Sequence, residues 1–481
     1  MDKKRFYITT TLPYVNAEPH IGFALEIVQA DVLARLATLS REEVVFNFGT
    51  DEHGQKIYQK ALELGQDPKA YCDESAARFD KLKKALNLSY TNFVRTTDEH
   101  HIKAAQEFWK RCDAAGDIYK KNYRVKYCVG CELEKTDSEL VEGKCPIHPN
   151  KDLEVRDEEN YFFRFSKYQQ PLWEFYGTHP DFVMPEERFR EIKAFVKAGL
   201  EDFSISRLKK KMLWGIEIPG DSEQVMYVWF DALINYISTL GWPENIENFK
   251  NFWPGVQVAG KDNLRQQSAM WQAMLMSAGL PNSKQIFIHG FMTKDGQKIS
   301  KSLGNTVDPI ELCEKYGTDV VRYYLLAKVH PWEDTDFTDE KFIEAYNADL
   351  ANGLGNLVSR IAKLCETNNY GWEKPDDWDD KLSYEVTDFL DCYRFDNALS
   401  YVWGWIRGLD QYIEKERPWQ KELPADNQRL SINVILEHAV SSLIGIVINL
   451  RPFLPGTAER ILKQFGQEKI KAMEPLFPRI K

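Results

Sequence analysis

The apolar positions begin with a β-prone run, Phe6-Tyr7-Ile8-Thr9-Thr10, that ends at Pro13. From Ala24 the spacing becomes helical, with Leu25, Val28, Val32, Leu33 and Leu36 on one face. Val44-Val45-Phe46-Asn47-Phe48, closed by Gly49, reads as a second strand, and a second helical pattern runs from about Asp67 to Leu86. Strand, helix, strand, helix predicts a doubly wound parallel α/β sheet. The alternation stops after about residue 115, and a turn-rich, cysteine-rich stretch continues to about residue 225. Strand signals return at Met226 to Asp231, Val256 to Gly260 and Ile286 to His289. The sheet is therefore expected in two halves joined by an insertion. Asp308-Pro309 and Thr318-Asp319 each open a helix. From Tyr346 onward long helical stretches, interrupted by an acidic loop from Glu373 to Asp380, predict an α-helical bundle. The most apolar of these, Val434 to Leu450, contains Glu437, His438 and Asn449, so a buried bundle helix is expected rather than a membrane span.

At 481 residues the chain exceeds one ordinary core, and two to four domains are expected. No apolar segment follows the basic start Met1-Asp2-Lys3-Lys4-Arg5, so secretion is not expected. The net charge of −11 means that a nucleic-acid partner would need a local basic stripe. Lys209-Lys210-Lys211 and Lys120-Lys121 are candidates, with a solvated loop as the alternative. Cys72, Cys112, Cys313, Cys365 and Cys392 are scattered in helical patterns and are expected as buried thiols, which points to a reducing cytosol. The remaining three fall in Cys128-Val129-Gly130-Cys131 and Cys145-Pro146-Ile147-His148. Two ligand pairs of this spacing suit one tetrahedral, structural Zn²⁺ held by Cys128, Cys131, Cys145 and His148.

Two further segments carry phosphate chemistry. His20-Ile21-Gly22 lies at a strand-to-helix transition, where amides at a helix start attract anions and His20 can donate to a phosphate oxygen. Gly22 is expected there to let the ligand approach. Far downstream, Gly296-Gln297-Lys298-Ile299-Ser300-Lys301-Ser302 is a polar loop following a strand. Its lysines suit a step in which pyrophosphate leaves with extra negative charge. Gly49-Thr50-Asp51 ends the second strand. Asp51 there can hold a substrate ammonium, or alternatively cap a helix.

The order and separation of these motifs resemble class I aminoacyl-tRNA synthetases. The chain is similar to the methionyl-tRNA synthetase family from Leu12-Pro13-Tyr14 to Arg417-Pro418-Trp419. The resemblance implies a split Rossmann-like catalytic domain (1–115 and 226–305) around a zinc-containing connective insertion (116–225). A stem-contact region (306–345) and a helical anticodon-binding domain (346–481) would follow. It implies ATP with Mg²⁺, L-methionine and tRNA(Met) as substrates and partners, in the cytoplasm. With no oligonucleotide-binding domain after the bundle, a monomer is expected. His20, Lys298 and Lys301 would be catalytic. Pro13, Gly22, Phe23, Gly260, Lys261, Asp262, His289, Ser300 and Ser302 would join His20 and Lys301 around ATP. Leu12, Tyr14, Asp51, Trp229, Tyr236 and Gln267 would surround methionine. Asn356, Arg360, Pro418 and Trp419 would meet the anticodon. Three positions depart from the family pattern: Phe23 replaces a second histidine or asparagine, Asn263 an apolar residue, and Gln267 a histidine. Phe23 cannot donate to phosphate, which leaves more charge to His20, the backbone amides and Lys301. A synthetase for another apolar amino acid or cysteine, and a catalytically silent RNA-binding relative, are the rival readings.

Overall fold

The computed structural model describes residues 4–16, 18–130, 133–135, 140–299, 304–375, 380–420 and 430–480. Its centre is a six-stranded sheet of β1 (Arg5–Thr10), β2 (Glu43–Thr50), β3 (Asn92–Arg95), β4 (Val183–Met184), β5 (Val256–Gly260) and β6 (Gln285–His289). The spatial order is β3-β2-β1-β5-β6-β4, and every pairing is parallel. The chain winds outward from β1 through β2 to β3, then resumes on the other side of β1 with β5 and β6. The order thus reverses between β1 and β5, and the crevice at their carboxyl ends is where such sheets bind ligands. Ile8, Phe46, Val258 and Phe287 are essentially inaccessible, as strands covered on both faces require.

The helix following β1, α1, spans Ile21–Leu39 and begins three residues earlier than the apolar spacing suggests. The cap explains the difference, because His20 takes the N-cap position usually held by Ser, Thr, Asp or Asn. The helix Pro68–Ala85 begins at Asp67, whose carboxylate accepts from the Ala70 amide. Asp308 caps Pro309–Tyr316 in the same way.

The stretch expected as an insertion forms a four-stranded antiparallel sheet of Leu133–Lys135, Ile118–Cys128, Glu154–Phe163 and Phe203–Ser204. It does not stay apart from the catalytic sheet, since within it β4 pairs with β6. The strand expected from Met226 to Asp231 is corrected. Strand Asp221–Met226 ends at Met226, and Val228–Ala232 is a short helix. Asp231 in that helix is buried between two imidazoles, described below, so long-range bonding overrides the local β propensity.

The carboxyl-terminal third is helical, including Asn356–Thr367, Tyr384–Asp391, Phe395–Glu416, Ile432–Leu450 and Pro455–Phe465. Ile432–Leu450 is long and apolar enough to cross a membrane. It buries Leu436, Val440, Leu443 and Val447 in the bundle core. The bundle is tied to the catalytic sheet through Arg322 of the helix Thr318–Ala327. This fully buried guanidinium donates to the carbonyls of Phe453 (2.7 Å), Leu86 (3.1 Å) and Pro452 (3.0 Å) and pairs with Asp31 of α1 at 2.8 Å. Cys72, Cys112, Cys313 and Cys365 are buried as expected, whereas Cys392 is exposed. It follows the last turn of Tyr384–Asp391, outside the packed face.

Candidate active site

His20 sits at the mouth of the β1–β5 crevice, and its cap fixes its chemistry. Nδ1 accepts from the Gly22 amide at 3.1 Å. In the neutral ring the proton is therefore on Nε2, which is left to donate. Burial pushes the imidazole pKa down to about 4, so the ring is neutral at ordinary pH. Phe23 lies against this ring, with centroids 4.4 Å apart, and meets Phe79 edge-on. Phe23 thus supports the imidazole.

Two expectations change here. A Cβ at position 22 would lie 2.9 Å from Cε1 of His20, so Gly22 is required by the capping ring. The helix-start amides are also engaged: Ile21 N–H donates to Val307, Gly22 N–H to His20 Nδ1, and the Phe23 and Ala24 amides to the His20 carbonyl. The helix dipole and His20 Nε2–H remain to attract phosphate.

The bond from Ile21 to the Val307 carbonyl, 3.0 Å, joins the start of α1 to the segment after the lysine loop. The other side of that loop is a hairpin, Met292–Lys294 against Gln297–Lys298. Its turn residues Asp295 (φ 52°) and Gly296 (φ 73°) suit a tight two-residue reversal. Asp336 accepts from Thr293 Oγ1 and the Gly296 amide, both at 2.7 Å, and holds the hairpin. The segment after the loop is thereby fixed beside His20, and the hairpin before it is fixed to Asp336. Ser300, Lys301 and Ser302 lie outside the described residues, as does Cys131.

Gly260 at the end of β5 is in register with His289 at the end of β6. His289 is buried, with Nδ1 2.7 Å from the Gly290 carbonyl and Nε2 2.9 Å from Glu26. Burial alone would lower its pKa, but Glu26 outweighs burial and raises it. Both ring nitrogens face acceptors, an arrangement that favours the doubly protonated ring. Glu26 also accepts from the Thr11 amide and hydroxyl, at 2.7 and 2.6 Å. The Lys261 ammonium is held by Asp334 at 2.6 Å. The charges expected of Lys261 and His289 toward ATP are thus engaged by protein carboxylates. Asp262 follows Lys261 in the short 3₁₀ turn that leaves β5.

On the amino-acid side, Asp51 is almost fully buried and forms a parallel bridge with Tyr14. Asp51 N–H donates to the Pro13 carbonyl and Val15 N–H to the Asp51 carbonyl. This extends the β1–β2 pairing and places Leu12 to Tyr14 beside the carboxylate. The N-cap position of the next helix, Gln55–Glu63, belongs to Gly54, so Asp51 is not a cap. Tyr236 is buried, and its hydroxyl accepts from Gln267 Nε2 at 2.7 Å. Burial pushes its pKa up, with Glu26 and Asp51 adding to the shift, so it is a neutral phenol. Trp229 is carried by the Val228–Ala232 helix.

Sequence spacing does not reveal the group that holds this helix. Asp231 is fully buried, with Oδ2 2.6 Å from His53 Nδ1 and Oδ1 2.8 Å from His101 Nε2. Burial would raise the carboxyl, but the two histidines override it and hold the pKa below the usual value. The available signal was His53, close to Asp51 in Thr50-Asp51-Glu52-His53, but its partner Asp231 lies far along the chain.

In the insertion, ligand atoms of Cys128, Cys145 and His148 all lie within 4.8 Å of one another. Cys128 Sγ is 3.9 Å from His148 Nδ1. Tetrahedral zinc bond lengths imply an S···N separation of about 3.6 Å, so these donors fit a metal. A Cβ at Gly130 would come within 2.4 Å of the His148 ring, which explains the glycine. The Gly130 carbonyl accepts from Lys56 Nζ at 2.8 Å, and that ammonium lies 5.8 Å from the Tyr14 ring centre. The candidate basic segments are partly neutralised: Lys120 pairs with Asp221, Lys209 with Glu217 and Lys211 with Glu158.

Asn356 is exposed at the start of its helix, and Arg360 is one turn further. The Arg360 guanidinium lies over the half-exposed Trp419 ring at 4.7 Å, next to Pro418. It is also paired with Asp410 and Glu414, at 3.1 and 2.7 Å. Arg360 and Trp419 thus meet, with the cation already engaged, and Asn356 stands one turn before Arg360.

A split parallel sheet with a His-x-Gly helix start after its first strand and a lysine-rich segment after its last is the architecture of class I aminoacyl-tRNA synthetases. The family described as tRNA synthetases class I (M) matches residues 6–153 and 147–362. The chain is 42% identical over 482 residues to a methionine–tRNA ligase of Nostoc sp., spanning 96% of this chain and 90% of the relative. A methionine–tRNA ligase of Thermotoga maritima is 40% identical over 487 residues, with 98% and 77% covered. The Mycobacterium tuberculosis methionyl-tRNA synthetase solved in complex with methionyl-adenylate superposes with a TM-score of 0.92 at 36% identity. That match covers 99% of this chain and 100% of the other. The chain belongs to the methionyl-tRNA synthetase family.

Proposed function

We propose that the chain activates L-methionine with ATP to methionyl-adenylate and transfers the methionyl group to the 3′ end of tRNA(Met), releasing pyrophosphate and AMP. The observation that carries this reading is the bond from Ile21 to Val307, which brings the segment following the lysine loop to the His20 turn. In this reading the methionine carboxylate attacks the α-phosphorus in line, and the protein contributes orientation and charge stabilisation. His20 Nε2–H, Lys298 and Lys301 would face the developing charge, with Pro13, Gly260, Asp262, Ser300 and Ser302 around the nucleotide. Mg²⁺ bound with ATP offsets phosphate charge. Asp51 holds the α-ammonium, and Leu12, Tyr14, Trp229, Tyr236 and Gln267 enclose the thioether side chain, which aromatic rings suit.

Cys128, Cys131, Cys145 and His148 would hold one structural Zn²⁺. Asn356, Arg360, Pro418 and Trp419 would read the anticodon, Trp419 by stacking on an unpaired base. That step requires Arg360 to exchange Asp410 and Glu414 for RNA. Residues 1–115 and 226–305 would then be the catalytic domain, 306–345 the stem contact and 346–481 the anticodon-binding domain, in a cytoplasmic monomer.

Pyrophosphate exchange tests the activity. Methionine is expected to support exchange well above every other standard amino acid, followed by charging of tRNA(Met). Exchange driven better by cysteine or leucine would reassign the substrate. Elemental analysis is expected to give one zinc per chain and much less in Cys145→Ser. A metal-free, fully active preparation would remove the zinc assignment.

A further inference from the structure

Behind Tyr236 and Gln267 lies a buried chain of side chains that the activation chemistry does not use: Gln257, Ser283 and Gln272, each at most 4% exposed. Gln267 belongs to the π-helical turn Gln266–Met270, Gln257 to β5 and Ser283 to the loop before β6. Amide orientation is normally ambiguous, but here backbone groups at one end determine it. The Ser283 amide can only donate, and it reaches Gln272 Oε1 at 3.0 Å. The Gln267 carbonyl can only accept, and it lies 2.9 Å from Gln272 Nε2. Gln272 is thereby fixed, and the same Nε2 donates to Ser283 Oγ at 3.0 Å.

Accepting from Gln272 does not by itself orient the Ser283 proton, but Gln257 Oε1, at 2.5 Å, is the one acceptor it meets among the described residues, so Ser283 Oγ donates there and the later directions follow. Gln257 Nε2 donates to Gln267 Oε1 at 3.2 Å, and Gln267 Nε2 donates to the Tyr236 hydroxyl at 2.7 Å. The Tyr236 oxygen is an acceptor toward Gln267, so its own proton must point elsewhere. Nearby, the buried indole N–H of Trp229 has no hydrogen-bond partner among the described residues.

We propose that Gln257, Ser283 and Gln272 are positioning residues for amino-acid selection. The relay they anchor holds the Tyr236 hydroxyl as a donor into the pocket, so the pocket ranks side chains by whether they carry an acceptor where methionine has sulfur. This rests on the reading that Trp229 and Tyr236 wall the methionine pocket. Because no member of the relay titrates near neutrality, the preference is constant with pH in the native chain.

Norleucine, with a methylene in place of sulfur, is the probe, and the readout is the ratio of kcat/KM for methionine and norleucine in pyrophosphate exchange. Gln257→Glu reverses the relay from a distance. An ionised carboxylate at position 257 cannot donate, so Gln267 turns its NH₂ toward it and presents Oε1 to Tyr236, which then donates to Gln267 and away from the pocket. Above about pH 8 the methionine preference is expected to fall about three- to tenfold. It should recover near pH 6 as the new carboxyl is protonated and donates again. In the native chain the ratio should stay flat. A Gln257→Glu ratio equal to wild type at both pH values, with Tyr236→Phe lowering it, overturns the relay and leaves the pocket reading standing. If Tyr236→Phe changes neither substrate, the pocket reading fails and the relay with it. Should Gln257→Glu not fold, Gln257→Leu decides: freeing the Gln267 amide to turn is expected to lower the preference by a smaller factor, and an unchanged ratio overturns the proposal.

Discussion

Replacing His20 with asparagine is expected to slow methionyl-adenylate formation about 100- to 1000-fold, the usual effect of removing one preorganised donor. Asparagine keeps the cap, because its side-chain oxygen can accept from the Gly22 amide as His20 Nδ1 does. It lacks the outward Nε2–H. Melting temperature should therefore change little while kcat for pyrophosphate exchange collapses, which separates chemistry from folding. His20→Ala should lose both. The same ring sets an acid limit. Its pKa is about 4 in the fold against about 6.5 when free. Between those values the unfolded chain binds more protons, so this contribution to stability is complete above about pH 6.5 and is lost as pH falls toward 4. A kcat profile with a His20-dependent limb near neutrality, absent in His20→Asn, would contradict the neutral-donor assignment.

Arg322→Met is expected to destabilise the fold by about 3–5 kcal/mol, because one partner of a buried pair is removed and the other is left charged. Burial would raise the Asp31 carboxyl, but the Arg322 and Arg35 guanidinium groups and Ser89 hold it below the usual range. The loss also strands the carbonyls of Leu86, Pro452 and Phe453, which come from two distant parts of the chain. Urea denaturation should show a lower midpoint, or a first transition in which the helical third detaches. Adding Asp31→Asn should recover part of the loss by removing the unpaired charge. A midpoint matching wild type would mean that water replaces the guanidinium.

What could be read from sequence was whatever local spacing encodes. The strands near Val44, Val256 and Ile286 and the caps at Asp67 and Asp308 depend on residues a few positions apart, and each stands where the pattern puts it. The start of α1 stands at the His20 turn, as the strand-to-helix transition there implies, three residues before the apolar spacing becomes helical. The helix at Val228 was hidden because its determinants, His53 and His101, are remote in sequence. The amides of α1 looked open to a ligand because nothing local reveals that Val307 returns to Ile21. The metal ligands were legible since chelation imposes short spacing, and Cys128, Cys145 and His148 do converge.

Lys56 reaches from the amino-acid side to the carbonyl of Gly130 inside the cysteine hairpin. A structural ion that never approaches substrate would in this way brace the floor beneath Tyr14. Apo-protein should consequently show its first defect as a looser grip on the amino acid, ahead of any general collapse.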